Sequence, residues 1–186
     1  MKESRYSIQF CGFGGQGLVL SATVFGTAAV LAGLNAVQTQ SYGSEARGGE
    51  CQAELSLSEE PINSPLVSYV DLLVALSQPA LDSYLPRLRP GGTLVIDPQY
   101  VKVPDRSDVR IIEVPVSRLA VEEAGSRISA NMIMLGFLRE ATGLMPEKAL
   151  LAAIRKNVAD RFVEINLKAE RIGRQLAISE SVMVEA

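Results

Sequence analysis

A strand that runs straight into a glycine turn, and from there into a helix, constrains this chain more than any other stretch. Tyr6 to Cys11 (YSIQFC) is apolar enough for a buried strand. Gly12-Phe13-Gly14-Gly15-Gln16-Gly17 follows at once, and Leu18 to Ala32 then reads as a helix. The turn contains Gly-x-Gly-x-x-Gly in the strand–turn–helix context that gives the pattern its meaning. Glycines permit positive φ and close approach of the backbone to a ligand or neighbour. The helix start presents unpaired N–H groups and a partial positive charge, which suits a phosphate or carboxylate. Gly12, Gly14, Gly15, Gln16 and Gly17 are therefore candidate binding residues. The competing reading is that the glycines only let strand and helix pack tightly, or fit against another subunit. No Gly-Lys-Ser/Thr follows, so this is not a nucleotide-hydrolysing P-loop. Gln38, Thr39 and Gln40 stand where an NAD site needs an acid for the ribose, which disfavours a dinucleotide.

The alternation of strand and helix continues. Ala36 to Thr39 reads as a short second strand and Ser41 to Gly49 as a loop. Cys51 to Leu57 alternates strictly, with Gln52, Glu54 and Ser56 on the polar side. That pattern predicts a half-exposed strand, antiparallel or at an edge. Asp71 to Leu76, Thr93 to Asp97 and Val109 to Val114 read as further strands. A helix begins near Pro79 and ends before Pro90-Gly91-Gly92. Strands separated by helix-length segments imply βαβ units with helices on both sheet faces. The last third is helical: Ser129 to Ala141, Pro146 to Val158 and Arg161 to Ile178. The expectation is an α/β three-layer sandwich, a mostly parallel (mixed) Rossmann-like sheet with a helical C-terminal third, forming one domain over residues 1–186.

Missing residues narrow the chemistry. The 186 residues include no histidine, which excludes a Ser-His or Cys-His dyad and any histidine-ligated metal. Two cysteines, Cys11 and Cys51, are too few to hold an Fe–S cluster or a four-cysteine zinc site within the chain. They read as buried, reduced, small apolar side chains, in keeping with a cytoplasmic protein. The net charge of -3 gives no footprint for nucleic acid. The longest apolar stretch, Leu18 to Leu34, is short for a membrane span and diluted by Ser21, Thr23, Gly26, Thr27 and Gly33.

A second loop, Ser41-Tyr42-Gly43-Ser44-Glu45-Ala46-Arg47-Gly48-Gly49, sets charge and an aromatic ring among glycines. Arg47 suits a bidentate contact to phosphate or carboxylate, whereas composition alone reads the segment as a polar surface turn. Together the two loops resemble the gamma subunit of 2-oxoacid:ferredoxin oxidoreductases. That family shows a Gly-x-Gly-Gly-Gln-Gly turn before a small-residue helix and, one strand later, a Tyr-Gly-x-Glu-Ala-Arg-Gly-Gly loop. The likeness continues through Leu72 to Pro79, Leu88 to Gly92 and Ala130-Asn131-Met132, covering about residues 5 to 160. It implies a subunit of an enzyme that cleaves a 2-oxoacid with thiamine diphosphate, reduces ferredoxin through Fe–S clusters and forms an acyl-CoA. Those cofactors are expected in partner alpha, beta and ferredoxin-like delta chains. This chain is expected to be a structural component that contacts CoA or a subunit seam through Gly14 to Gly17 and Arg47. The small subunit of an indolepyruvate-type oxidoreductase and a stand-alone Rossmann-type enzyme are the alternatives. Without its partners the chain is expected to self-associate as a homodimer, because an exposed apolar patch seeks cover.

Other features have ordinary expectations. Phe162, Ile165, Ala169, Ile172 and Leu176 form one apolar stripe on the last helix, expected to pack on the chain's own core. Asp97, before Pro98, is expected to cap a turn, and Asn131 to be a buried hydrogen-bonding residue. Glu59-Glu60 and Glu122-Glu123 read as solvated surface.

Overall fold

The computed structural model describes residues 5–42 and 49–184. Six strands form one sheet: β1 (Arg5–Phe13), β2 (Asn35–Tyr42), β3 (Glu50–Ser58), β4 (Val70–Ala75), β5 (Leu88–Ile96) and β6 (Arg110–Glu113). Their order is β2-β3-β1-β4-β5-β6. β1, β4, β5 and β6 are parallel neighbours, and β3 alone runs against both of its neighbours, β1 and β2.

Helix α1 (Leu18–Leu31) links β1 to β2, and α2 (Gln78–Tyr84) links β4 towards β5. The two connections travel in opposite directions across the sheet. Right-handed crossovers then put the helices on opposite faces. Ile8, Phe10, Leu55, Leu72 and Val74 pack in one core with α1, while Cys11, Leu73, Ala75, Leu94 and Ile96 pack in another with Ala80 and Leu81 of α2. The α1 side carries the larger core. It also receives residues of α4 (Ala130–Thr142) and α5 (Glu147–Asn157). The closing helix α6 (Asp160–Ser179) lies mainly along α4.

Several expectations are corrected. β3 is an interior strand, and its polar side is buried: Glu54 is 6% exposed and Ser56 2%. Arginines make this possible. Arg87 Nη1 lies 2.8 Å from Glu54 Oε2 and its Nη2 donates to the Val67 carbonyl. Arg5 donates to Ser56 Oγ and to the carbonyls of Ser64 and Pro65. The segment after β3 is thus pinned to the sheet face that also carries α2. β2 is twice its expected length and takes in Ser41 and Tyr42, because pairing with β3 extends through Tyr42 and Cys51. Pro90-Gly91-Gly92 does not precede β5 but lies within it. The register jumps from Val70–Leu88 to Leu72–Thr93, and Gly91 takes φ 75° in the bulge.

On α6 the buried line is Asn166, Ala169, Glu170, Gly173 and Ala177 rather than the large apolar residues. Ile172 and Leu176 pack at its flank, whereas Phe162 is 40% exposed beneath the Arg161 guanidinium. Small residues explain the rotation. A Cβ on Gly136 would collide with the Glu170 carbonyl, and one on Gly173 with the Ile133 carbonyl, so α4 and α6 touch backbone to backbone. The short α3 (Val116–Leu119) and the π-helical turn Ala120–Ala124 that continues it were not legible, being too brief to show a period.

Candidate functional site

Strand order reverses direction between β1 and β4, and in an open α/β sheet the crevice beyond the carboxyl ends of such strands is where ligands bind. The glycine turn occupies that position. Gly12, the penultimate residue of β1, leaves room for the Gln16 side-chain oxygen, which sits where a Cβ would be. Gln16 Oε1 accepts from the Phe13 amide at 2.7 Å, and its Nε2 donates to the Leu76 carbonyl at 2.9 Å. One side chain thus staples the end of β1 to the end of β4. Gly17 is the N-cap of α1 at φ 76°, a left-handed conformation that favours glycine. A Cβ there would also lie 2.5 Å from Asn131 Nδ2. Asn131 is 3% exposed at the start of α4 and donates weakly to the Gly17 carbonyl at 3.4 Å; its Oδ1 is unpartnered. α1 has no side-chain cap.

The Gly14 amide donates to the Gly49 carbonyl at 3.1 Å. The glycine turn is therefore joined to the last residue of the second loop, and the two loops singled out in the sequence meet. Arg47 itself lies outside the described residues.

Beside the turn is a cleft of about 360 Å³. Gly15 and Gln16 form one wall. The segment 117–130 forms the other, with Arg118, Val121, Arg127 and Ile128, and Tyr100 closes the end. Val121, Ile128 and Tyr100 are exposed apolar surfaces, Ile128 to 79%. Arg118 is 4.0 Å from Glu122 Oε2, an open ion pair. Two cations, apolar walls and an uncapped helix start suit an anionic ligand with an apolar or aromatic part. Sequence reading missed Arg118 and Arg127. Their signal was positional: they follow β6, at the same sheet end as the glycine turn.

Asp97, at the end of β5, is fully buried and caps as expected. Its carboxylate accepts from the amides of Gln99 (3.0 Å) and Ser117 (2.9 Å), fixing the entry to α3 beside the cleft. Cys11 and Cys51 are free and buried, and they join different cores on opposite sheet faces. Burial pushes both thiols up, and the charge of Glu50 adds to the effect at Cys11. Among the described residues, no three Cys, Asp or Glu side chains converge into a metal site, and no helix is long and apolar enough to cross a membrane.

Fold and site define an α/β protein with an anion-favouring cleft at the switch point. Residues 7–176 match the pyruvate ferredoxin/flavodoxin oxidoreductase family. The chain belongs to this family, and within it the chain is a gamma subunit of the 2-oxoacid:ferredoxin oxidoreductase type. It is 44% identical to the 2-oxoglutarate synthase subunit KorC of Methanothermobacter thermautotrophicus, over 97% of this chain and 100% of that one. It is similar to the solved gamma subunit of a keto/oxoacid ferredoxin oxidoreductase from Geobacter sulfurreducens, with TM-score 0.84, 36% identity, and 94% and 97% of the two chains covered. It also resembles part of the 2-oxoglutarate:ferredoxin oxidoreductase of Magnetococcus marinus solved with 2-oxoglutarate, coenzyme A and succinyl-CoA. There the TM-score is 0.86 at 25% identity, over 96% of this chain and 32% of that one. The indolepyruvate oxidoreductase subunit IorB of Archaeoglobus fulgidus stands further off, at 26% identity.

Proposed function

We propose that this chain serves a cytoplasmic 2-oxoglutarate:ferredoxin oxidoreductase as a single-domain subunit that receives coenzyme A. Thiamine diphosphate and the Fe–S clusters sit in partner chains of the alpha, beta and ferredoxin-like kinds. The observation that carries the reading is the Gly14–Gly49 hydrogen bond at the switch point, which joins both loops beside a cleft bearing Arg118 and Arg127. Identity to KorC supports the choice of 2-oxoglutarate among the 2-oxoacids.

In this reading Gly15 and Gly17 offer backbone to the phosphates, Gly14 ties the turn to Gly49, and Arg47, Arg118 and Arg127 supply charge. Gln16 contributes by holding the turn, since its amide is already engaged by backbone. The alternative use of the loops, as a seam against another subunit, predicts no ligand effect. The test is steady-state kinetics of the assembled enzyme. Arg118→Ala with Arg127→Ala is expected to raise the KM for CoA about tenfold with kcat little changed, the size of one lost charge-assisted contact. Unchanged CoA kinetics would assign the cleft to a subunit seam. Unchanged kinetics in Arg47→Ala would take that residue out of the ligand site.

A further inference from the structure

The end of the cleft and its arginine wall hang from one side chain. Asp97 directly follows β5 and is fully buried. Each carboxylate oxygen takes a different amide: Oδ1 accepts from Gln99 at 3.0 Å and Oδ2 from Ser117 at 2.9 Å. The Asp97 carbonyl accepts from the amides of Tyr100 and Val101, both at 3.0 Å. The turn that carries Tyr100 is thus closed on Asp97 by side chain and backbone together, and Val101 is sunk in the core around α2.

The Ser117 amide lies in the first turn of α3, which has no side-chain cap of its own. α3 runs without a break into the π-helical turn Ala120–Ala124, and the Ser126 amide closes back on the Ala120 carbonyl at 2.8 Å. Arg118 and Val121 belong to this piece, and Arg127 directly follows it. Asp97 does not line the cleft, whereas Gln99, Tyr100, Ser117 and Arg118 do.

We infer that Asp97 is a positioning residue for the ligand of this cleft: it sets Tyr100 and Arg118 at a fixed separation, and so fits the cleft to a molecule that carries an aromatic base and phosphates. The inference rests on the coenzyme A reading of the cleft. A carboxylate offers two acceptor oxygens, one for each piece of chain, whereas a side-chain amide offers one acceptor and one donor. Asparagine at 97 can therefore hold the Tyr100 turn or α3 but not both, and its NH2 group faces the other N–H. Both pieces would remain in place through their own backbone bonds, with the register between them lost. Supporting hydrogen bonds of this kind decide how exactly the groups around a ligand are held.

The test is steady-state kinetics of the assembled enzyme carrying Asp97→Asn. The KM for CoA should rise about tenfold, with kcat and the KM for 2-oxoglutarate little changed. In the same enzyme, hydrogen exchange should quicken in the peptides covering 98–101 or 116–119 and stay as in the wild type around residues 12–17. Combined with Arg118→Ala, Asp97→Asn should raise the KM by less than the product of the two single effects, because one acts through the other. Should Asp97→Asn fail to assemble, Ser117→Pro removes the same bond from its other end, at a first-turn position that tolerates proline, and should give the same rise. A lower kcat with the KM for CoA unchanged would leave Asp97 a purely structural residue and overturn the inference. If Arg118→Ala with Arg127→Ala raises that KM and Asp97→Asn does not, the inference alone falls. If neither does, the coenzyme A reading falls and takes the inference with it.

Discussion

At the scale of single residues, the glycine turn separates two reasons for lacking a side chain. Gly15 and Gly17 both have positive φ, at 97° and 76°, but a Cβ on Gly15 meets open space while one on Gly17 meets Asn131. Alanine at either position is strained by about 1 kcal/mol. Gly17→Ala is therefore expected to cost more than Gly15→Ala in urea unfolding, and Asn131→Ala in the same chain should narrow the gap. Gln16→Ala removes the staple and frees the Phe13 amide and Leu76 carbonyl; about 1–3 kcal/mol should be lost. Gln16→Glu keeps the acceptor but cannot donate to Leu76, so it should lose nearly as much. Equal stability of Gln16→Ala and wild type would show that the bonds do not hold the turn.

At the scale of elements, the α4–α6 contact combines close backbones with a buried acid. Glu170 is 1% exposed. Burial pushes its carboxyl above the usual glutamate range, and the charge of Arg139 offsets this only in part. Folded protein thus holds this proton more readily than unfolded chain. The associated stability is full below the ordinary value of about 4.3 and is lost as pH rises through the higher folded-state value. Glu170→Gln has no such loss. Its thermal stability should gain on the wild type as pH rises from about 4; a constant difference would refute the assignment. Gly136→Ala and Gly173→Ala, which push backbones apart, should each cost about 1–3 kcal/mol or more. The three terminal helices were legible to within a residue or so at each end, because Gly143 and Pro146 punctuate a clear 3.6-residue period. Which side of α6 would be buried was not. Period alone favours the stripe of large residues, whereas the contact is decided by glycines on two helices that are distant in sequence.

At the scale of the molecule, the mixed sheet and its switch-point turn could be read from alternation and one motif. The burial of Glu54 and Ser56 could not, since it depends on Arg5 and Arg87 arriving from other elements. The cleft was half legible: its glycine wall is a motif, and its arginine wall is only a consequence of topology. The same topology separates the thiols. With Cys11 and Cys51 on opposite faces and both pushed up by burial, native protein should react with a thiol reagent only as fast as it unfolds, and mild oxidants should form no internal disulfide. Rapid labelling of either thiol in the folded state would contradict the burial.

The bond from Gly14 to Gly49 has a thermodynamic consequence. It continues the β1–β3 ladder one residue past Phe13 and Glu50, so the turn and the strand that leaves the second loop form one hydrogen-bonded unit. If a ligand on the turn alters the affinity of the chain for a partner subunit by some factor, the partner must alter the affinity for that ligand by the same factor. Ligand titration with and without the partner subunits reads that coupling.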